Sequence, residues 1–148
     1  MGKVLDRLLE ENMRQAVLAD CVALVDSEVA AKKGASGLVI KAGYKAFRAV
    51  RPGIVTEAMT VLLPHFAEVL DRLYGEWEAD APGQGFSQWL AARSGQVAED
   101  LLTITDRMVE KTDRRAVTGT YNRLRGMARK NVEQAVPAVG ILVESRMK

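Results

Sequence analysis

Apolar residues in this chain return every three or four positions over most of its length. Between residues 12 and 32 they fall at Val17, Cys21, Leu24, Val25 and Val29, the step that lines one side of a helix advancing about 100° per residue. The same step recurs at Ile54, Val55, Ala58, Leu62, Phe66, Val69 and Leu73, then at Val97, Leu101, Ile104 and Met108. It returns once more at Val132, Ala135, Val136, Val139, Leu142 and Val143. The pattern predicts an all-α fold, a compact bundle of about six to eight helices. At 148 residues the chain reads as a single helical domain over 1–148, long enough to bury roughly two-thirds of its unfolded surface. Aromatic residues make up only 5% against 48% hydrophobic, so the core has to be assembled from Ala, Val, Leu, Ile and Met.

Glycine and proline punctuate the pattern. A short helix is expected over 3–11, with Val4, Leu5, Leu8 and Leu9 on one side, followed by a longer one over 12–32. Gly34 then stops the chain, since glycine readily takes the left-handed conformation of a C-terminal cap. Ser36 offers a hydroxyl N-cap for the next helix, 37–51. On that helix Val39, Gly43, Ala46, Phe47 and Val50 share the expected inward face, and Lys41, Lys45 and Arg48 the opposite one, with Arg51 at its edge. Arg51-Pro52-Gly53 ends it, because the residue before proline is pushed out of helical geometry. Residues 53–74 read as a helix with Pro64 inside it, and 75–85 as an acidic Gly/Pro connector carrying Glu76, Glu78 and Asp80. A short helix over 86–93 is anchored by Phe86, Trp89 and Leu90. Helices over 96–111, 114–130 (Val117, Tyr121, Leu124 and Ala128 inward) and 131–146 (Pro137 inside) complete the chain.

The second half overlays the first. Val17, Asp20, Asp26 and Val29 meet Val97, Asp100, Asp106 and Val109 at one offset. After a shortening in the loop, Tyr44, Arg48, Val55 and Ala58 meet Tyr121, Arg125, Val132 and Ala135, and one helical turn of slippage later Pro64 meets Pro137. Such self-similarity predicts an internal duplication of 12–74 and 92–146: two three-helix units about an approximate twofold, with two basic helices in equivalent places.

Charge is sorted along the chain although the net value is only +2. From Lys32 to Arg51 stand six basic residues and no acid; from Lys111 to Lys130, Arg114 among them, seven against the single Asp113. One-signed bands suggest an anionic partner, nucleic acid or another polyanion, reached through Lys41, Lys45, Arg48, Arg51, Arg123, Arg125 and Arg129. Against that, neither band interleaves aromatics suited to stacking on bases. The ten acids from Glu57 to Glu110 are also available to neutralise the bands within the fold.

Chemistry-bearing constellations are scarce. His65 is the only histidine and Cys21 the only cysteine, so a zinc site of three or four such ligands is not expected. Cys21 on an apolar stripe reads as a small buried hydrophobe. Asp20 with Asp26, and Asp100 with Asp106, are six apart and do not share a helical face. No phosphate loop and no cofactor site is expected, and the chain reads as no enzyme. The opening MGKVLDRLLEEN has acids inside its first apolar stretch, so no secretory leader is expected. No run approaches the ~18 apolar residues of a membrane span. Trp77 and Trp89 flank the connector, where one of them is expected to pin it to the helices.

LVDSEVAAKKGASGLVIKAGY, the VRPGIV corner and LLPHFAEVLD resemble an uncharacterised family of small all-helical bacterial proteins, a domain of unknown function. The resemblance implies an all-α fold and a bacterial cytoplasmic setting, and supplies no active residues. The first functional expectation is a protein-interaction or scaffold role, with a protein partner or a homodimer. Polyanion binding through the two basic helices is the second. The third is carriage of an apolar small ligand between the halves, suggested by small-residue helices and paired interior prolines.

Overall fold

The computed structural model describes residues 2–113 and 115–147. All regular structure among them is α-helical, in seven helices: α1 Lys3–Leu8, α2 Glu11–Ala30, α3 Gly34–Arg48, α4 Ile54–Asp80, α5 Phe86–Ala91, α6 Ser94–Glu110 and α7 Arg115–Met147. Two of them dominate, α4 with 27 residues and α7 with 33, roughly 40 and 50 Å long at 1.5 Å per residue. Among the described residues the backbones of α4 and α7 stay apart, and each of the other five helices packs against both.

Several boundaries differ from the expectation: the helix expected over 37–51 runs Gly34–Arg48, with Ser36 inside it, and those over 3–11 and 86–93 end at Leu8 and Ala91. The two helices expected over 114–130 and 131–146 are one, since α7 runs unbroken from Arg115 to Met147 through Lys130 and Asn131. Arg114, and the side chains of Leu5, Val117 and Leu124 expected on apolar faces, lie outside the described residues. The connector is shorter than 75–85, since α4 runs on to Asp80 and carries Glu76, Glu78 and Asp80 as helical residues. A mid-helix glycine such as Gly75 costs about 1 kcal/mol, which the packing of neighbouring Tyr74 and Trp77 offsets. Finally, α2 stops at Ala30, ahead of Gly34. Gly34 does take a left-handed φ of +75°, but as the first residue of α3, and no side-chain hydrogen bond caps that helix. Gly53, at φ +77°, turns the corner after Pro52 into α4, where a Cβ would be strained.

The end of the bundle formed by α1, α5, the first halves of α2 and α6 and the last halves of α4 and α7 is densely filled. Leu8, Val17, Leu70, Leu73, Leu90, Val97, Val136 and Val143 belong to one buried cluster there. Phe86, 1% exposed, sits beside Tyr74 and Trp77 with ring centroids 5.0 and 5.6 Å away, distances at which edge-on and tilted aromatic pairs attract. Both tryptophans secure the connector: Trp77 Nε1 donates to the Gln84 carbonyl at 2.7 Å, and Trp89 Nε1 to Asp80 at 3.2 Å. Arg93 lies 4.0 Å over the Trp89 ring. At Gly140 a Cβ would come 2.9 Å from Ser87 Cα, so its absence lets α7 lie close on α5. Arg146, donating to Asp20 at 2.7 Å, ties the end of α7 to α2.

On α4 the buried stripe is Leu63, Ala67, Leu70 and Leu73 rather than Leu62, Phe66 and Val69, which are only partly covered. On α3 the inward arc is also shifted. Ile40, Gly43, Tyr44 and Phe47 face the bundle, whereas Val39 is 48% exposed and Ala46 and Val50 are exposed too. The Tyr44 hydroxyl bonded to Asp26 of α2 fixes α3 in this rotation.

Candidate functional site

The opposite end of the bundle is hollow. A cavity of about 590 Å³ opens between the second half of α2, α3, the start of α4, the end of α6 and the start of α7. Val25 and Val29 line it from α2, and Ile40, Tyr44 and Phe47 from α3. Val55, Ala58, Met59 and Leu62 line it from α4, Met108 and Val109 from α6, and Tyr121 from α7. Val25, Val29, Phe47, Val55, Ala58, Leu62, Met108 and Tyr121 stand on the stripes read from the periodicity, Ile40, Tyr44, Met59 and Val109 do not, and all of them face a void. Such a volume falls inside the roughly 300–1,000 Å³ typical of small-molecule sites.

Two matching polar clasps stand at the walls. Tyr44 donates its hydroxyl hydrogen to Asp26, and Tyr121 donates to Asp106. Burial first, then the Asp26 hydrogen bond, push the Tyr44 phenol up to about 12; burial and then Asp106 raise Tyr121. Asp106 is in turn held below the usual carboxylate range, chiefly by its hydrogen bonds from Arg125 at 2.9 and 3.2 Å. The Tyr121 hydroxyl also lies 2.8 Å from Thr105 Oγ1. Arg48 sits 5.8 Å over the Tyr44 ring, in the place that Arg125 takes in the overlay of the two halves. The Tyr44–Asp26 and Tyr121–Asp106 bonds match in that overlay, whereas Arg125 pairs with Asp106 and Arg48 has no such bond to Asp26, and Val55 lines the cavity where Val132 packs against the core. The helix count differs as well. The first half folds as α2, α3 and α4, the second as α6 and α7, because the counterpart of Arg51-Pro52-Gly53 is Ala128-Arg129-Lys130 and nothing there interrupts the helix.

The seven basic residues proposed for a polyanion are used in varied ways. Arg51 pairs bidentately with Glu57, Nε and Nη2 each 2.9 Å from a carboxylate oxygen. Arg125 pairs with Asp106, and Arg129 with Glu99 at 2.6 Å. Arg123 donates to the Gly119 carbonyl of its own helix at 3.3 Å. Lys41 and Lys45 project from the exposed side of α3. Arg51 lines the cavity, and Arg48 and Arg125 back its clasps; Lys41, Lys45, Arg123 and Arg129 do not line it. Three carboxylates of the acidic stretch, Glu57, Glu99 and Asp106, thus neutralise band arginines.

Other candidates resolve simply. His65 is exposed on α4. Cys21 packs against the core, and burial, then Asp20, push its thiol up to about 11, so it is protonated and a poor nucleophile. Among the described residues no three His, Cys, Asp or Glu side chains are grouped to hold a metal ion, and no helix is long and apolar enough to cross a membrane. Sequence reasoning did not single out the Tyr44–Asp26 and Tyr121–Asp106 bonds, whose two tyrosines line the cavity. Their recurrence in register in both halves was the available signal.

The fold and cavity define a small all-α protein with an apolar recess at one end. The chain belongs to a family of unknown function, DUF6918, which it matches over residues 4–147. No curated protein and no solved structure matches it.

Proposed function

We propose that the protein is a non-enzymatic binder of an apolar small molecule, held in the cavity between its two halves. The observation that supports this is the hollow end itself: about 590 Å³ of space walled by aliphatic and aromatic side chains, beside an end of the same bundle that is filled. An apolar void exposed to water costs stability, and a ligand removing its walls from water recovers that cost. The halves are a diverged duplication on this reading, supported by the twin Asp–Tyr clasps, and the working compartment is the bacterial cytoplasm of the resemblance. The test is uptake of the neutral dye N-phenyl-1-naphthylamine, followed by fluorescence. Saturable one-to-one binding is expected, with a loss of at least about tenfold in Ala58→Phe, which fills the space. Absence of uptake ends the reading.

A protein-contact role is the second reading, favoured by Leu38 and Val39 of α3, 69% and 48% exposed. Light scattering that finds only monomer, with no partner captured on the immobilised protein, removes it. Polyanion binding would fall to Lys41, Lys45, Arg48 and Arg123, since Arg51, Arg125 and Arg129 already hold carboxylate partners.

A further inference from the structure

The outward side of α3 is an apolar face that the described residues leave uncovered. Ala35, Leu38, Val39, Ala42 and Ala46 are all exposed there, and Val50 continues the line just past the end of the helix. At about 100° per residue these six share an arc of roughly 120°, and no polar side chain of α3 falls within it. The opposite arc of the same helix is apolar too, but that one faces the cavity through Ile40 and Phe47.

Cations stand along one edge of the outward stripe. Lys45 borders it, and Lys41 and Arg48 follow on the same side, all three exposed. None of them has a carboxylate partner among the described residues, in contrast to Arg51, Arg125 and Arg129. From Lys32 to Arg51 the sequence also holds no acid. An exposed apolar stripe edged by unpaired lysines suits a helix lying in a lipid–water interface. Its apolar side chains enter the acyl boundary, and each lysine near anionic headgroups contributes about fivefold in affinity. A protein partner fits this face less well. The stripe holds no aromatic residue, methionine or arginine, the side chains that anchor protein interfaces. A second copy docked α3 to α3 would bring more cations and no acid to neutralise them.

We infer that the outward face of α3 docks on an anionic lipid surface, lying along it without crossing, with Leu38 and Val39 inserted and Lys41 and Lys45 on the headgroups. The inference does not need the cavity to hold a ligand. It gives to lipid the exposed face on which the protein-contact reading draws.

The experiment is co-sedimentation of the full chain with vesicles of phosphatidylcholine alone and of phosphatidylcholine mixed with phosphatidylglycerol. Binding to the anionic vesicles is expected to be at least about tenfold tighter than to the neutral ones, and to weaken as salt rises. Leu38→Ser/Val39→Ser is expected to weaken it at least about tenfold through lost apolar burial. Lys41→Gln/Lys45→Gln is expected to weaken it by a similar factor through lost charge. All four side chains are exposed, so circular dichroism of both double variants should show unchanged helix content. No binding to the anionic vesicles, equal binding to both compositions, or undiminished binding in either double variant overturns the inference. So does a dimer in light scattering that Leu38→Ser/Val39→Ser dissociates, which would give the face to a second copy. Dye uptake by the cavity is read separately and is touched by none of these outcomes.

Discussion

The two ends of this bundle are built from the same residue types and do opposite things with them. At the packed end valines and leucines of six helices interlock around Phe86, Trp89 and Leu90. At the hollow end Val25, Val29, Val55, Met108 and Val109 reach inward equally but stop short of one another. The difference lies in what fills the middle. A short helix, α5, inserts three large side chains into the packed end. At the hollow end the corresponding space faces α3, whose inward arc includes Gly43, and whose larger members Tyr44 and Phe47 stand at the walls. Dense packing makes one end the source of stability. The void makes the other the place where a ligand would bring stabilisation.

Paired truncations give the largest test of that contrast. Phe86→Ala is expected to cost about 3–5 kcal/mol in urea unfolding, because its ring leaves a sealed cavity among Tyr74, Trp77 and Trp89. Phe47→Ala is expected to cost less than about 2 kcal/mol, since its ring already borders open space. Equal costs would break the comparison. Next comes overpacking: Gly140→Ala places a methyl 2.9 Å from Ser87 Cα and is expected to cost about 1–3 kcal/mol, read by the thermal midpoint.

The clasps give a spectroscopic test. Ultraviolet difference titration of the protein against Tyr44→Phe should show Tyr44 ionising near 12 instead of near 10, and Asp26→Ala should lower that value. The folded state holds the phenol proton more tightly than the unfolded chain. The associated stabilisation is therefore fully present below pH 10 and fades as pH rises towards 12. An unshifted titration would detach Tyr44 from Asp26. The smallest effect is expected at the mouth, where Arg51→Ala removes an exposed ion pair worth about 0–1 kcal/mol. A larger loss in chemical denaturation would mean that the pair closes the hollow end more firmly than its exposure allows.

Helical architecture is legible in the sequence because burial imposes a three-to-four residue step, and Phe86, Trp89, Leu90, Val97 and Leu101 satisfy it where they are enclosed on every side. The continuity of α7 across Lys130-Asn131 is less legible. A change of charge density there resembles a boundary, yet the backbone stays helical across it. The rotation of α3 depends on the Tyr44–Asp26 bond, which no helical wheel contains. The hollow end is not legible at all in Val25 or Val109, since a valine facing another valine and one facing a void produce the same pattern. The basic bands are plain in the sequence, but their carboxylate partners lie 6 to 30 positions away, as with Arg51 and Glu57 or Glu99 and Arg129.

Pro64 stands on α4 at the changeover between the two regimes. The residues before it, up to Leu62, border the void, and those from Leu63 onward join the filled cluster. Proline carries no amide hydrogen, so the helix lacks one rung at that level, and the carbonyl of Thr60 loses its regular partner. A rod missing a rung is most compliant there. The forward segment of α4 is therefore the more compliant of the two, while the rear segment, locked among leucines and aromatics, keeps its register.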